Sequence, residues 1–245
     1  MSSAALTHLE GLLQARKLDG TVLRAGMSLA HRAQAPSGVV SLDAALGGGW
    51  PRGELSELVG ARSSGRTSTM IRTLAAATAR GEIVALIDAL DRFDPASAEA
   101  AGVDLARLLW VRGPSCTVEM AKPGLLERAV HQAVRAMDLV IRSGGFGVVV
   151  LDVADVPALF LRALPATTWM RLARANEGQP TAGVVLACSP ISRSARGVSV
   201  RLEAEATWTG VSPQSRRLSA LSVRASISQA SRPASPAPAW LAVGA

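Results

Sequence analysis

The stretch Gly60-Ala61-Arg62-Ser63-Ser64-Gly65-Arg66-Thr67 decides the fold of this chain. It matches the phosphate-loop pattern G-x-x-x-x-G-K-[ST] except at Arg66, where the pattern has lysine. A short apolar segment from Leu55 to Val59 precedes it, and a helical pattern continues to about Arg80. Because a glycine loop between a strand and a helix is the context in which this motif binds phosphate, the sequence predicts a nucleotide-binding fold.

The same stretch supplies a candidate site for ATP or ADP with Mg²⁺. Loop amides and a helix N-terminus attract anions, and a hydroxyl and a carboxylate are typical Mg²⁺ ligands. The predicted nucleotide contacts are Gly60, Ser63, Ser64, Gly65, Arg66, Thr67 and Asp152, of which Thr67 and Asp152 are the candidate metal ligands. Two alternatives stay open: the loop is an inherited turn, and Asp152 caps a central strand. Arg66 alters the chemistry because a planar guanidinium replaces a compact ammonium.

Composition excludes several classes of protein. The 245 residues carry a net charge of +7 and only two cysteines, too few for a disulfide framework. No segment approaches 18 uncharged apolar residues, so no membrane association is expected. The N-terminus lacks the separate apolar region of a signal peptide. Together these features predict a cytoplasmic protein.

Apolar runs alternate with helical patterns along most of the chain. The predicted strands lie at 55–59, 83–88, 108–111, 148–152 and 183–188. This alternation predicts an α/β fold with a mostly parallel, twisted sheet flanked by helices. Two later segments, 198–204 and 218–227, alternate with period two and predict antiparallel strands on the C-terminal side of the sheet.

Three regions follow from these patterns. Residues 1–36 are predicted to form an N-terminal helix and linker, and 37–227 form the core. Residues 228–245, rich in Ser, Pro and Ala, are predicted to be a flexible tail. Trp240 and Leu241 within that tail are candidate anchors for a partner protein, or else incidental apolar residues.

Several other side chains invite a functional interpretation. Asp88, Asp91 and Asp94 are spaced three apart, but loop capping explains this spacing better than a metal cluster. Packing is the predicted role of the tryptophans Trp50, Trp110, Trp169 and Trp208, and both cysteines, Cys116 and Cys188, are predicted to be buried.

Six segments, in register from about residue 37 to 205, resemble the core of the RecA recombinases. They are Ser41–Gly49, Pro51–Leu55, Gly60–Thr67, Leu86–Pro95, Gly102–Asp104 and Ser199–Leu202. The resemblance implies a RecA-like sheet. It also implies that DNA is held in and after a loop that is shortened here to about 191–197. The candidate DNA-binding residues are Arg193, Arg196, Arg201, Arg216 and Arg217.

The departures from the RecA pattern are as informative as the matches. The hydrolytic glutamate falls at Leu90, the adenine-stacking aromatic at Ser97, and the γ-phosphate-sensing glutamine near Ser189. These positions serve separate steps, and drift alone does not remove all of them together with the lysine. The resemblance therefore implies a RecA fold retained as a non-catalytic scaffold.

The chain is most similar to the ImuA-type accessory proteins, which are RecA-like in the core. That resemblance implies a role in SOS-type, error-prone translesion DNA synthesis. The implied partners are an ImuB-like Y-family polymerase homologue and an error-prone C-family DNA polymerase alpha subunit, with RecA and DNA as further candidates. Two alternatives stay open: a weak DNA-stimulated ATPase of the RecA superfamily, and a SulA-like cell-division inhibitor.

Overall fold

The computed structural model describes residues 33–115, 122–192, 197–229 and 239–242. The chain divides into two units, residues 1–31 and 32–245, and all described residues lie in the second. The predicted N-terminal helix at 4–17, together with Cys116, Arg193 and Arg196, lies outside the described residues.

The described residues form six α-helices and ten strands. The helices are α1 (Val40–Leu46), α2 (Arg66–Ala79), α3 (Pro95–Ala100), α4 (Pro123–Ser143), α5 (Ala158–Ala163) and α6 (Ala166–Asn176). The strands are β1 (Gln34–Ala35), β2 (Trp50–Pro51), β3 (Leu55–Gly60), β4 (Ile83–Asp88), β5 (Leu108–Arg112), β6 (Phe146–Asp152), β7 (Ala182–Ala187), β8 (Val198–Thr209), β9 (Arg217–Gln229) and β10 (Ala239–Ala242). None of these helices combines the length and hydropathy that a membrane crossing requires.

One eight-stranded sheet, in the order β10-β9-β8-β3-β7-β6-β4-β5, organises the molecule. The strands from β8 to β5 are mutually parallel, whereas β9 pairs antiparallel with β8 and β10 pairs antiparallel with β9. This confirms the predicted α/β class and the antiparallel extension. Because the parallel strands end at one edge, the loop after β3 lies at the same edge as the ends of β6 and β7.

Alternate residues of the central strands build two cores, one on each face of the sheet. Val148 and Val150 of β6 face α1, α2 and α3, whereas Val149 and Leu151 face α4, α5 and α6. Burial on both faces explains why these strands are continuous apolar runs in the sequence. The second core also contains Leu90, which is 2% exposed.

The C-terminal side departs from prediction in two ways. Strands β8 and β9 are longer than expected and form a hairpin whose outer part, around Trp208, lies beyond the core. The assignment of 228–245 to a flexible tail is wrong for residues 228–229, which belong to β9, and for residues 239–242, which pair with residues 222–225 of β9. Backbone pairing along an exposed strand edge supplies hydrogen bonds that the composition of the segment does not reveal.

Two of the three aspartates at the end of β4 and beyond it, Asp88 and Asp94, have the capping roles that the sequence predicts. Asp88 accepts a hydrogen bond from the backbone N–H of Phe93 at 2.8 Å, and Asp94 caps the N-terminus of α3. Asp91 forms a bidentate ion pair with Arg112, both contacts being 2.8 Å. Among the described residues, no group of three or more potential ligands could hold a metal ion.

The tryptophans divide between the core and the surface. Trp50 and Trp169 are buried, as predicted, and Trp110 packs edge-on against Phe93 with its centroid 5.3 Å away. Trp208 is 54% exposed, so the expectation that it packs in the core or at the sheet edge is wrong. The packing helices do not reach this far along β8, and the side chain is left in solvent.

Glu57 of β3 anchors the chain on both sides of the shortened loop. Its carboxylate is buried and accepts hydrogen bonds from the backbone N–H groups of Ile191 and Ser192, at 3.1 and 2.9 Å. It also accepts hydrogen bonds from the hydroxyls of Ser192 and Ser199, at 3.1 and 2.7 Å. Four donors satisfy the buried charge, so one side chain defines where the loop begins and ends.

Glu57→Ala should lower the free energy of unfolding by about 2–4 kcal/mol, because it leaves buried hydrogen-bond donors without an acceptor. Glu57→Gln keeps an acceptor and should cost less. Chemical denaturation monitored by circular dichroism measures both changes. Glu205→Ala, at an exposed position of β8, is the matched control and should change stability by less than about 0.5 kcal/mol. Equal stability of Glu57→Ala and the unmodified chain would show that the anchor is unimportant.

Candidate functional site

The glycine loop joins β3 to α2, as the sequence predicts. Its backbone takes left-handed conformations at Ser63, with φ of 60°, and at Gly65, with φ of 87°. A Cβ atom at Gly60 would overlap the Ser64 side chain and the backbone oxygen of Leu202, so the first position requires glycine. The loop therefore retains the compact turn of a phosphate cradle.

Arg66 does not extend into solvent but folds back into the loop. Its side chain is only 7% exposed, and its guanidinium donates a hydrogen bond to the carbonyl oxygen of Gly60. The other terminal nitrogen lies 3.3 Å from the carboxylate of Asp155, which follows β6. Asp155 also lies 3.9 Å from the guanidinium of Arg92. We call the contacts that Arg66 makes with Gly60 and Asp155 the arginine clasp.

Asp155 completes the arginine clasp but was not predicted from the sequence. It stands three residues after Asp152, in a turn that has no recognisable motif. The only available signal was a second carboxylate shortly after a strand that ends in a carboxylate. Its effect is direct: the cation that replaces the lysine of the loop is already paired with an acid.

A pocket of about 250 Å³ opens beside the clasp. Its lining is Arg62, Ser63, Gly65, Arg66, Thr67, Ser68 and Asp155. This volume is below the range of roughly 300–1,000 Å³ that is typical of small-molecule sites. Thr67 is exposed at its edge, whereas Asp152 is not part of the lining. The two predicted metal ligands thus do not share the pocket.

Asp152 has the geometry of a cap. One of its carboxylate oxygens accepts a hydrogen bond from the backbone N–H of Ala154 at 2.9 Å. Burial raises the pKa of Asp152 to about 7, the hydrogen bond from Ala154 opposes this rise, and the nearby carboxylates of Asp88 and Asp155 add to it. At pH 7 this carboxyl group is therefore about half protonated, and Mg²⁺ binding there would have to release the proton.

The residues of the site fit an anion but not a magnesium nucleotide. The hydroxyl of Ser64 and the Nε of Arg66 are buried and find no partner among the described residues, so the cradle retains donors for a small anion. Asp155 places a negative charge at the pocket that a triphosphate would enter. Of the two residues expected to hold the metal, only Thr67 lines the pocket.

The other positions that depart from the RecA pattern offer no replacement groups. Leu90 is buried in the second core and cannot reach a water molecule at the pocket. Ser97 is exposed and donates a hydrogen bond to Asp94. Ser189 lies just beyond β7 and is half-buried. Cys188 before it is exposed rather than buried as predicted, with its sulfur 2.7 Å from the carbonyl oxygen of Ala154.

The structure does not bring the described candidate DNA-binding arginines into one patch. Arg201 is exposed near the glycine loop, whereas Arg216 and Arg217 are exposed at the far end of the β8–β9 hairpin. Arg217 pairs with Thr209, eight residues along β8 from Arg201, which is a separation of about 27 Å. Glu203 and Glu205 lie between them on the same face, because alternate strand residues share a face.

Trp240 and Leu241 lie in β10 rather than in a flexible tail. Their backbones pair with Arg224 and Val223 of β9, at the outer edge of the sheet. An edge strand offers backbone groups to a partner, so this location does not conflict with a binding role.

The parallel sheet, the glycine loop at its carboxyl edge and the helix that follows define a P-loop nucleotide-binding fold. The model of the RecA N-terminal domain family matches residues 11–163, more than half of the chain. The chain therefore belongs to the RecA family.

Individual relatives support the same conclusion. The chain is 38% identical over 146 residues to Protein RecA of Lactobacillus delbrueckii subsp. bulgaricus. It is 36% identical over 135 residues to that of Acholeplasma laidlawii, and 38% identical over 146 residues to that of Mycolicibacterium smegmatis. These matches cover 59%, 54% and 59% of the chain but only 39%, 37% and 37% of the relatives. The chain thus spans under two-fifths of the length of the curated relatives it matches.

The raised pKa of Asp152 predicts a pH-dependent effect on stability. The folded state must ionise this group against its environment, so its unfavourable contribution grows as pH rises from about 4 to 7. The free energy of unfolding of Asp152→Asn, relative to that of the unmodified chain, should therefore rise by about 1–3 kcal/mol between pH 5 and pH 8. Denaturation at both pH values measures this gain. Asp104→Asn, at an exposed position, is the control and should change stability by the same amount at both pH values. If the effect of Asp152→Asn were also the same at both pH values, the raised pKa of Asp152 would be contradicted.

Proposed function

We propose that the chain is a non-catalytic RecA-like accessory protein. The single observation that supports this proposal most strongly is the arginine clasp, in which Asp155 pairs with the cation that replaces the lysine of the loop. A phosphate group entering the cradle must compete with Asp155 for Arg66. The clasp thus disfavours tight binding of a triphosphate and its transition state.

We also propose that the site lacks a general base for ATP hydrolysis. Leu90 occupies the position of the hydrolytic glutamate and is part of the hydrophobic core. A positioned base contributes roughly 10²–10⁴ in rate, and a buried leucine contributes none of this. If a nucleotide binds at all, we expect its phosphates to contact the loop amides while the metal half of the site stays unformed.

The cellular role that fits best is damage-induced, error-prone translesion DNA synthesis. The chain keeps the RecA fold, has the degenerate loop expected of ImuA-type proteins, and carries a C-terminal extension of the sheet. We propose that it bridges the ImuB-like Y-family polymerase homologue and the error-prone C-family polymerase alpha subunit. RecA and the DNA backbone are further proposed partners, with Arg201 as the described DNA contact nearest to the loop.

A weak DNA-stimulated ATPase is the principal alternative. The intact turn of the loop and the unpaired buried donors on Ser64 and Arg66 favour it. The SulA-like alternative has less support, because a readable phosphate loop is not expected in such a protein. Binding of the chain to the tubulin-like division protein would support the SulA-like alternative.

The purified chain should release no phosphate from ATP above background, with Mg²⁺ and single-stranded DNA present. Thr67→Ala should behave the same way. Arg66→Lys should tighten ATP binding in calorimetry, because a lysine contacts Asp155 through a single point charge, but it should not restore turnover. Turnover by the unmodified chain that Thr67→Ala abolishes would replace our proposal with the ATPase alternative.

The proposed bridging role can be tested by binding to the ImuB-like partner. A chain ending at Gln229 lacks β10 and should bind this partner at least about tenfold more weakly, a loss of about 1.4 kcal/mol, if the sheet edge is the contact. Surface biosensing measures the affinity. Met170→Ala, at an exposed position of α6, is the control and should bind normally. Failure of the full-length chain to bind would contradict the bridging role itself.

A further inference from the structure

A groove of about 410 Å³ lies between α4 and α6, away from the glycine loop. Its volume falls within the range of roughly 300–1,000 Å³ that is typical of binding sites. Helix α4 contributes Arg135 and Leu139, which share one face because they are four residues apart, and α6 contributes Arg171 and Leu172. Both helices pack on the second core, so the groove opens on the outer side of that layer. We call it the α4–α6 groove.

The charge of the α4–α6 groove is positive and unbalanced. Arg135 and Arg171 are exposed, and neither forms an ion pair with another described residue. Asp138 is the one acid in the lining, and it is already paired with Arg142, one helical turn further along α4, at 2.9 Å. Two arginines therefore face the groove without a carboxylate to balance them.

The groove also offers an apolar surface and an unused acceptor. Leu139 is 60% exposed on one wall, and the buried Leu172 lines the opposite helix. The Oδ1 atom of Asp138 is buried and has no hydrogen-bond partner among the described residues. Leaving a buried acceptor unsatisfied costs about 1–3 kcal/mol, so a donor from a bound segment would be stabilising.

We propose that the α4–α6 groove binds an acidic, amphipathic segment of a partner protein. Carboxylates of the segment pair with Arg135 and Arg171, one of its large apolar side chains covers Leu139, and one of its backbone N–H groups donates to Asp138. Arginine is suited to this role because its guanidinium binds a carboxylate through two parallel hydrogen bonds. The charge pattern selects the partner and speeds encounter, and the apolar contact adds affinity.

Other occupants fit the groove less well. A nucleic-acid backbone would pair with the arginines but would leave Leu139 in water, and the described lining includes no aromatic side chain on which a base could stack. The ends of this chain lack the required charge. Residues 1–31 hold more basic than acidic side chains, and residues 230–245 hold one arginine and no acid. Charge complementarity therefore favours a different protein over a second copy.

This inference rests on the proposed function in one respect: it gives the bridging role a second contact surface. The first, β10, lies at the edge of the sheet, whereas α4 and α6 cover the second core. Binding through β10 and binding in the groove can therefore fail independently.

A selection from a phage-displayed library of short random peptides tests the chemistry of the occupant. The full-length chain should enrich peptides that combine net negative charge with at least one large apolar residue. The same selection against the double variant Arg135→Glu, Arg171→Glu should not enrich them. Enrichment of neutral or basic peptides, or of none, would overturn the proposal.

One selected peptide, carrying a fluorescent label, then gives affinities by anisotropy. The double variant Arg135→Glu, Arg171→Glu should weaken its binding at least about tenfold, and Leu139→Ala about threefold or more. The double variant Arg216→Glu, Arg217→Glu, at the far end of the β8–β9 hairpin, makes the same change of net charge and should bind normally. Circular dichroism should show that all these variants keep the fold.

Three results would count against the groove. Equal weakening by the two double variants would show that only net charge matters. Displacement of the peptide by oligothymidine would identify a phosphate site, and an oligomeric state that changes with Arg135→Glu, Arg171→Glu in sedimentation would identify an interface between copies. If the peptide bound as expected but the chain did not bind the ImuB-like partner, the groove would stand and the bridging role would fail.

Discussion

The ion pair between Arg66 and Asp155 constrains everything else at the carboxyl edge of the sheet. A guanidinium that is 7% exposed needs a compensating charge and acceptor, and here Asp155 and the carbonyl oxygen of Gly60 supply them. The pair ties the loop after β3 to the turn after β6. A phosphate can occupy the cradle only by sharing Arg66 with Asp155. The interaction that stabilises the loop in this conformation thus opposes phosphate binding.

The carboxylates around this edge make structural hydrogen bonds. Asp88 accepts hydrogen bonds from the Phe93 N–H and the Trp110 indole, and Asp152 accepts one from Ala154. Burial and two neighbouring acids raise the pKa of Asp152 to about 7. Leu90, which stands where the RecA pattern has its hydrolytic glutamate, is part of the second core. The sheet consequently persists without help from a nucleotide, because both cores close over it independently of the loop.

The fold was predictable from the sequence because burial on both faces leaves continuous apolar strands, and the strand–loop–helix motif orients the first of them. Asp155 was not predictable, because nothing in its spacing shows that the turn after β6 folds back onto Arg66. The packing prediction for Trp208 was wrong for a related reason. Alternation assigns this residue to the core-facing side of β8 but does not reveal where the packing helices end. Strand β10 was missed because its pairing depends on backbone hydrogen bonds, to which a composition rich in Ser, Pro and Ala gives no clue.

The proposed function implies that the binding of partners is not controlled by a nucleotide. If the proposed function holds, no ATP-driven change of state sets when the chain binds its partners. Occupancy then follows mass action and depends on the concentrations of chain, polymerase subunits and exposed single strand. DNA damage raises the amount of unpaired DNA, so binding to such DNA would couple the chain to damage without hydrolysis.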